Sequence, residues 1–289
     1  MSDTIEYPSL NSLLGHPEDA KLLLINTDDA GMCHAANGAV VEAIAYGLVQ
    51  SCTVMVPCPW LLEFVHLKKS NPDLHCGIHL TVTSEWDHYR WGPVLGPEKV
   101  PTLIDEQGYL HKSEQDLFRL ADPREVVAEF RAQIERAIKL GLEPTHIDSH
   151  MGAYHWEEEI FQPTKELADE FGLTMRIGFH PRRDMLRQEG WAVVDRLWFD
   201  TYDVPLDQRE EYYCDFLQRV EPGVTELVIH CAHESEELQA ICGDTASHRV
   251  FDFDFFTRSS TKQLLADLDI TCISYRDLHE LHQKTRRQN

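Results

Sequence analysis

Short apolar runs that alternate with amphipathic stretches constrain this chain more than any other feature. Residues 21–26 (KLLLIN) hold an uninterrupted apolar run at 22–25 and read as a strand buried on both faces. Further strands are predicted at 49–56, 74–80, 145–149, 173–178, 224–231 and 269–274. Between them, 34–47, 60–70, 122–140, 157–171, 260–268 and 275–285 carry helical spacing. Residues 186–222 read as mainly helical, with a loop around Pro205. Gly47 stops the first helix; Asp122-Pro123 opens the clearest one and Gly141 closes it. Segment 83–113 holds Gly92, Pro93, Gly96, Pro97 and Pro101 and has no helical period. It reads as an inserted active-site loop, with room for a small hairpin. Such strand–helix units predict an α/β fold, a single (β/α) barrel over 1–289 that is TIM-like but distorted or seven-stranded. Neither GxGxxG nor GxxxxGK[ST] occurs, which disfavours a nucleotide-binding sheet. Residues 284–289 read as a solvated tail.

Charge narrows the partners. The chain sets 26 Lys+Arg against 49 Asp+Glu, a formal charge of −23. Phosphate backbones need a basic footprint, so no nucleic-acid partner is expected. Anionic membranes repel the same charge. No apolar run approaches the ~18 residues of a membrane span. The first twenty residues carry Asp3, Glu6, Glu18 and Asp19 and lack a basic-then-apolar order, so no secretory signal is expected. The eight cysteines form no CxxC pair. Free thiols in a reducing cytoplasm are the expectation.

In β/α barrels the chemistry sits at the C-terminal ends of the strands. Here those ends read Asp28-Asp29, His79, His146-Ile147-Asp148-Ser149-His150, Arg176 and His230. Adjacent buried carboxylates repel unless a cation compensates, and a divalent metal is the natural one. Capping of the following helix is the other use for such a pair. His79, flanked by Ile78 and Leu80, suits a satisfied core histidine unless it partners Asp29. At period two, His146, Asp148 and His150 point to one side of their strand. Imidazoles with a carboxylate suit a borderline or hard cation.

Four segments now stand in order: Asn-Thr-Asp-Asp-Ala-Gly at 26–31, Gly-x-His-Leu-Thr at 77–81, Pro-Thr-His-Ile-Asp-Ser-His at 144–150, and Glu226-Leu227 followed by His230. Together they resemble the YdjC-like family of carbohydrate deacetylases, relatives of the polysaccharide deacetylases. The resemblance implies Asp29, His79 and His150 as ligands of one divalent ion, Mg²⁺ or Zn²⁺. It implies Asp28 as catalytic base, His230 as general acid and Arg176 as the group that orients the base. His146 and Asp148 then orient ligands. A small carbohydrate substrate and a homodimer come with the family. The chain departs from it on the rim, with Met151-Gly152-Ala153-Tyr154-His155 after the third motif and His230-Cys231-Ala232-His233 after the last strand end. His233 therefore rivals His230 as acid and stands as a substrate-binding candidate.

Trp86 and Trp91 in the inserted loop are sugar-stacking candidates, or else anchors of the loop or of a dimer contact. Two other functions use similar residues. A metal-dependent phosphoesterase needs extra cations, for which Arg176 and the stretch 181–187 are the candidates. A non-catalytic, metal-bound sugar-binding protein needs the site without a working base.

Overall fold

A computed structural model describes residues 9–155, 157–178, 180–199 and 201–286. Of the tail read at 284–289, the last three residues lie outside the described residues. The N-terminal half comprises a short helix α1 (Leu10–Leu13), β1 (Lys21–Ala30), α2 (His34–Tyr46), β2 (Ser51–Val54), α3 (Leu61–Ser70), β3 (Cys76–Leu80), α4 (Glu114–Leu120) and α5 (Pro123–Lys139). There follow β4 (His146–Ser149), α6 (Glu158–Phe171), β5 (Thr174–Met175), α7 (His180–Gln188), β6 (Arg196–Trp198) and α8 (Arg209–Gln218). The chain closes with β7 (Gly223–Ile229), α9 (Glu236–Cys242), α10 (Ala246–Phe256), α11 (Ser259–Asp267), β8 (Ile270–Ile273) and α12 (Tyr275–Arg286).

Seven parallel strands pair in the order β5-β4-β3-β2-β1-β7-β6 and curl into a distorted (β/α)7 barrel. β1 is central and buried on both sides. Leu22 and Leu24 pack inward with Val224, Ile273 and Tyr275, whereas Leu23 and Ile25 pack outward with Ala39, Tyr213 and Phe256. That double burial explains its uninterrupted apolar run. β7 lines one edge of β1 from Lys21 to Thr27. The other edge is shared: β8 pairs with Lys21–Leu24 and β2 begins opposite Asn26.

The barrel and the seven strands expected along the chain are present, and 269–274 is the last strand, β8, which pairs with β1 off the main strand order. The strand that the sequence does not show is β6. β6 is three half-buried residues inside the segment read as mainly helical, too short to show a period. Gly178, just past β5, lies against Leu197 of β6, where an added Cβ would meet the leucine Cδ2 at 2.6 Å. Helices α9 and α10, between 232 and 259, and α4 had no place in the sequence reading. Elsewhere the punctuation acts as expected. Gly47 ends α2 at φ 96°, and Asp122 caps α5 by accepting Arg124 N at 2.9 Å.

Inside the barrel His146 stacks flat on Tyr275, centroids 3.5 Å apart, and Gly77 lies against the ring. A Cβ on Gly77 would meet His146 Cε1 at 2.5 Å. Both rings are wedged, so Gly77→Ala is expected to destabilise the fold by roughly 1–3 kcal/mol. Thermal unfolding should show a midpoint several degrees lower, and an unchanged midpoint would show that the His146 ring yields freely.

Candidate active site

Strand alternation should send Asp28 and Asp29 to opposite faces, since Leu22, Leu24, Asn26 and Asp28 form the inward set. Both carboxylates nevertheless reach the same cluster. Between Thr27 and Ala30 the pairing with β2 slips, three steps on β1 opposing two from Cys52 to Val54. Asp29 sits at φ 67° within this bulge. A left-handed residue at a bulge re-aims its side chain, here toward the barrel mouth.

The two aspartates, 4% and 1% exposed, meet different partners. Asp28 is clamped by Arg176, with Nη1 donating to Oδ2 at 2.8 Å and Nη2 to Oδ1 at 2.9 Å. Asn26 Nδ2 also donates to Oδ1 at 2.8 Å. Burial alone would push the Asp28 carboxyl up, but the guanidinium outweighs it and holds it well below the usual range. Arg176 also reaches Asp148 Oδ2 at 2.6 Å and Glu226 Oε1 at 2.7 Å. Burial pushes Glu226 up to about 7, and Tyr275 donates to its other oxygen at 2.6 Å.

Asp29 accepts Arg249 Nη2 on Oδ2 at 2.7 Å. Its Oδ1 is buried without a hydrogen-bond partner among the described residues. That oxygen lies 3.3 Å from His79 Nε2 and 3.4 Å from His150 Nδ1. The three ligand atoms of Asp29, His79 and His150 lie within 4.8 Å of one another, all in buried residues. Each imidazole has its far nitrogen engaged by a carboxylate. His79 Nδ1 is 2.7 Å from Asp148 Oδ1, and His150 Nε2 is 3.0 Å from Glu85 Oε2. Such outer contacts fix the tautomer that turns a lone pair toward a metal.

A dication fits this pocket on charge as well as geometry. Burial disfavours the imidazolium of His79, yet Asp148 and Asp28 outweigh it and raise the ring well above its ordinary value. For His150, Glu85 and Asp29 overcome burial and hold the ring up at about 9. The carboxylates thus call for two more positive charges, which a divalent ion brings to neutral imidazoles. A second set of potential ligands, Asp28, His79 and Asp148, is also close enough. There, Arg176 already supplies the cation to both carboxylates.

The other residues singled out in the sequence divide. His230 follows β7, and Tyr202 packs edge-on against its ring at 4.5 Å. Burial pulls His230 down to about 4, against the opposing pull of Asp29 and Asp28. His233 is elsewhere, 3.4 Å from Glu42 and against Phe253 at 4.7 Å. His146 stacks on Tyr275, while Asp148 holds His79 directly. Trp91 is 3% exposed and donates Nε1 to Thr83 O at 2.9 Å. Trp86 is half-buried, with the Arg249 guanidinium 6.0 Å from its ring. Sequence reasoning passed over Glu85, Thr53, Tyr202, Arg249 and Asp252. It quoted Glu226 in a motif without a role, although period two already aligned it with His230.

A β/α barrel with a buried Asp-His-His cluster at its mouth defines the class. Residues 22–267 match the YdjC-like protein family, and the chain belongs to it. It is 34% identical over 232 residues to a protein named carbohydrate deacetylase from Thermus thermophilus, covering 76% of this chain and 81% of that one. It is 29% identical to another of that name from Thermoanaerobacter pseudethanolicus, covering 88% and 98%. A crystal structure from Enterococcus faecalis, titled a putative cellobiose-phosphate cleavage protein, superposes with a TM-score of 0.77 at 28% identity, covering 90% and 99%.

Metal binding needs both imidazoles neutral, and their neighbouring carboxylates hold both above the ordinary imidazole range, so metal uptake at pH 7 should release protons. Affinity should then rise with pH as the rings lose those protons, and fall as pH drops. Calorimetric titration in buffers of different ionisation enthalpy measures the count, and zero released protons would contradict this charge reading.

Proposed function

We propose that this chain is a metal-dependent carbohydrate deacetylase, hydrolysing the N-acetyl group of an amino sugar or short oligosaccharide. One observation carries the reading: Asp29 Oδ1, unpartnered and buried, faces two imidazole nitrogens beside an ionised Asp28. The names of the relatives at 34% and 29% identity support the reaction class. Asp29, His79 and His150 would hold the ion, Mg²⁺ or Zn²⁺. When bound there, a divalent ion lowers the pKa of water and polarises an acyl carbonyl.

The rest is the work of the chain itself. Asp28, kept ionised by Arg176, takes the proton of the attacking water. Arg176 holds both carboxylate oxygens, so the base cannot swing away. His230 gives a proton to the departing nitrogen. Its resting ring is neutral, so it takes up a proton from solvent before it gives one, and Asp28 returns its proton to solvent as the products leave. His233, paired outward with Glu42, has no part in this scheme. Trp86, half-buried, is the candidate to stack on a sugar ring, whereas the buried Trp91 anchors the loop.

The cations that the sequence offered a phosphoesterase are paired with carboxylates. Arg182 binds Glu158, Arg183 pairs with Asp184, and Arg187 pairs with Asp195. Arg176 is committed to three carboxylates. Free thiols at all eight cysteines support a reducing cytoplasm. Among the described residues no helix is long and apolar enough to cross a membrane. We take 1–289 as one catalytic domain, and the family resemblance favours a homodimer.

Acetate release from N-acetylated mono- and oligosaccharides, with metal added back after chelation, tests the reaction. Phosphate release from a generic phosphoester, without acetate release, would overturn it. Asp28→Asn should lower kcat by roughly 10²- to 10⁴-fold while metal stays bound. Wild-type turnover in that variant would remove Asp28 as base. Trp86→Ala should raise KM by roughly 3- to 10-fold with kcat little changed, and an unaltered KM would dismiss the sugar platform.

A further inference from the structure

Neighbouring aspartates of one strand end differ in what their arginines leave open. Arg176 takes both oxygens of Asp28. Arg249, from α10, takes only Oδ2 of Asp29, at 2.7 Å. Its other nitrogens, Nε and Nη1, have no hydrogen-bond partner among the described residues, and the side chain is 3% exposed. An arginine buried at this cost needs a reason. Aromatic faces supply part of the compensation: its Cζ lies 5.6 Å from the Tyr202 ring and 6.0 Å from Trp86. The single charge-assisted bond to Asp29 supplies the rest.

That bond has a directional consequence. Asp29 sits in a left-handed bulge, and its carboxylate could rotate about χ2. With Oδ2 tied to Arg249, Oδ1 is held between His79 Nε2 and His150 Nδ1. Helix α10 is itself pinned to the barrel mouth. Ala232 N donates to Arg249 O at 3.2 Å, and His230 N donates to Asp252 Oδ2 at 3.0 Å. Asp252 also accepts Arg209 Nη2 and Tyr213 OH, each at 2.6 Å. One helix therefore holds a carboxylate on β1 and the backbone of His230 after β7.

We infer that Arg249 is a positioning residue for metal binding, which reserves Oδ1 of Asp29 for a divalent ion by occupying Oδ2. The inference rests on Asp29, His79 and His150 being the metal site. It adds the device that makes Asp29, rather than the doubly clamped Asp28, the ligand.

Titration of metal-freed protein with Co²⁺ tests it, followed by calorimetry and by the visible Co²⁺ absorption that reports ligand geometry. Arg249→Met is expected to weaken Co²⁺ binding by roughly 10- to 100-fold and to alter the absorption, because outer contacts of ligands typically contribute that much. Arg249→Lys, which keeps a cationic donor, should recover part of the affinity. Circular dichroism should match wild type in both. Wild-type Co²⁺ affinity and spectrum in Arg249→Met would overturn the inference, leaving the arginine a packing element. Should Arg249→Met fail to fold, Arg249→Gln serves, since its shorter amide falls about two bonds short of Asp29. Wild-type affinity in Arg249→Gln overturns the inference equally. Absence of Co²⁺ binding by the wild-type protein would instead overturn the metal site itself, and this inference with it.

Discussion

Arg176 is the interaction on which the barrel mouth depends. One buried guanidinium is shared by Asp28, Asp148 and Glu226, from β1, β4 and β7. Three carboxylates could not be buried so close together without it. Removing one member of such a network typically costs about 3–5 kcal/mol, because the remaining charge is left unpaired. The same ion therefore ties strands on both sides of β1 together and keeps Asp28 ionised. One side chain thus serves both the packing of the strands and the charge of Asp28.

Around that centre the polar contacts spread outward in sequence. Asp148 orients His79, and Glu85 of the inserted loop orients His150. Thr53 Oγ1 sits between them, 2.9 Å from Asp148 Oδ2 and 3.2 Å from Asp28 Oδ1. The loop is held in turn by Glu129 of α5, which accepts Val94 N at 2.8 Å and Leu95 N at 3.0 Å. Loop and helices thus act on the same Asp29, His79 and His150 cluster from different sides. Support of this kind, which a proposed metal site would require, is spread over elements far apart in the chain.

Legibility followed from the length of each signal. Long periodic segments such as α5 and the apolar run of β1 were plain, because repeated burial on one or both faces leaves a repeated pattern. β6 was not, since three half-buried residues carry no period. Trp91 and Trp86 were equivalent by composition and separate only by burial. His146 shares its strand face with Asp148, yet Tyr275, over a hundred residues later, stacks on its ring. Arg249 carried no local mark, because its meaning comes from Asp29, 220 residues away.

By itself the sequence determined which chemistry was available. Strands that end in Asp, His and Arg deliver those groups to one rim, since parallel strands share a direction and side chains alternate strictly along them. It did not determine how the two aspartates divide their roles. Alternation alone would have parted Asp28 from Asp29; the bulge reunites them, and its shape depends on the pairing with β2. Tertiary structure then decided which oxygen stays free. Arg176 closes both oxygens of one aspartate, and Arg249 closes a single oxygen of the other. Hydrogen-bond geometry of this kind acts over about 3 Å, a distance that only the packed chain defines.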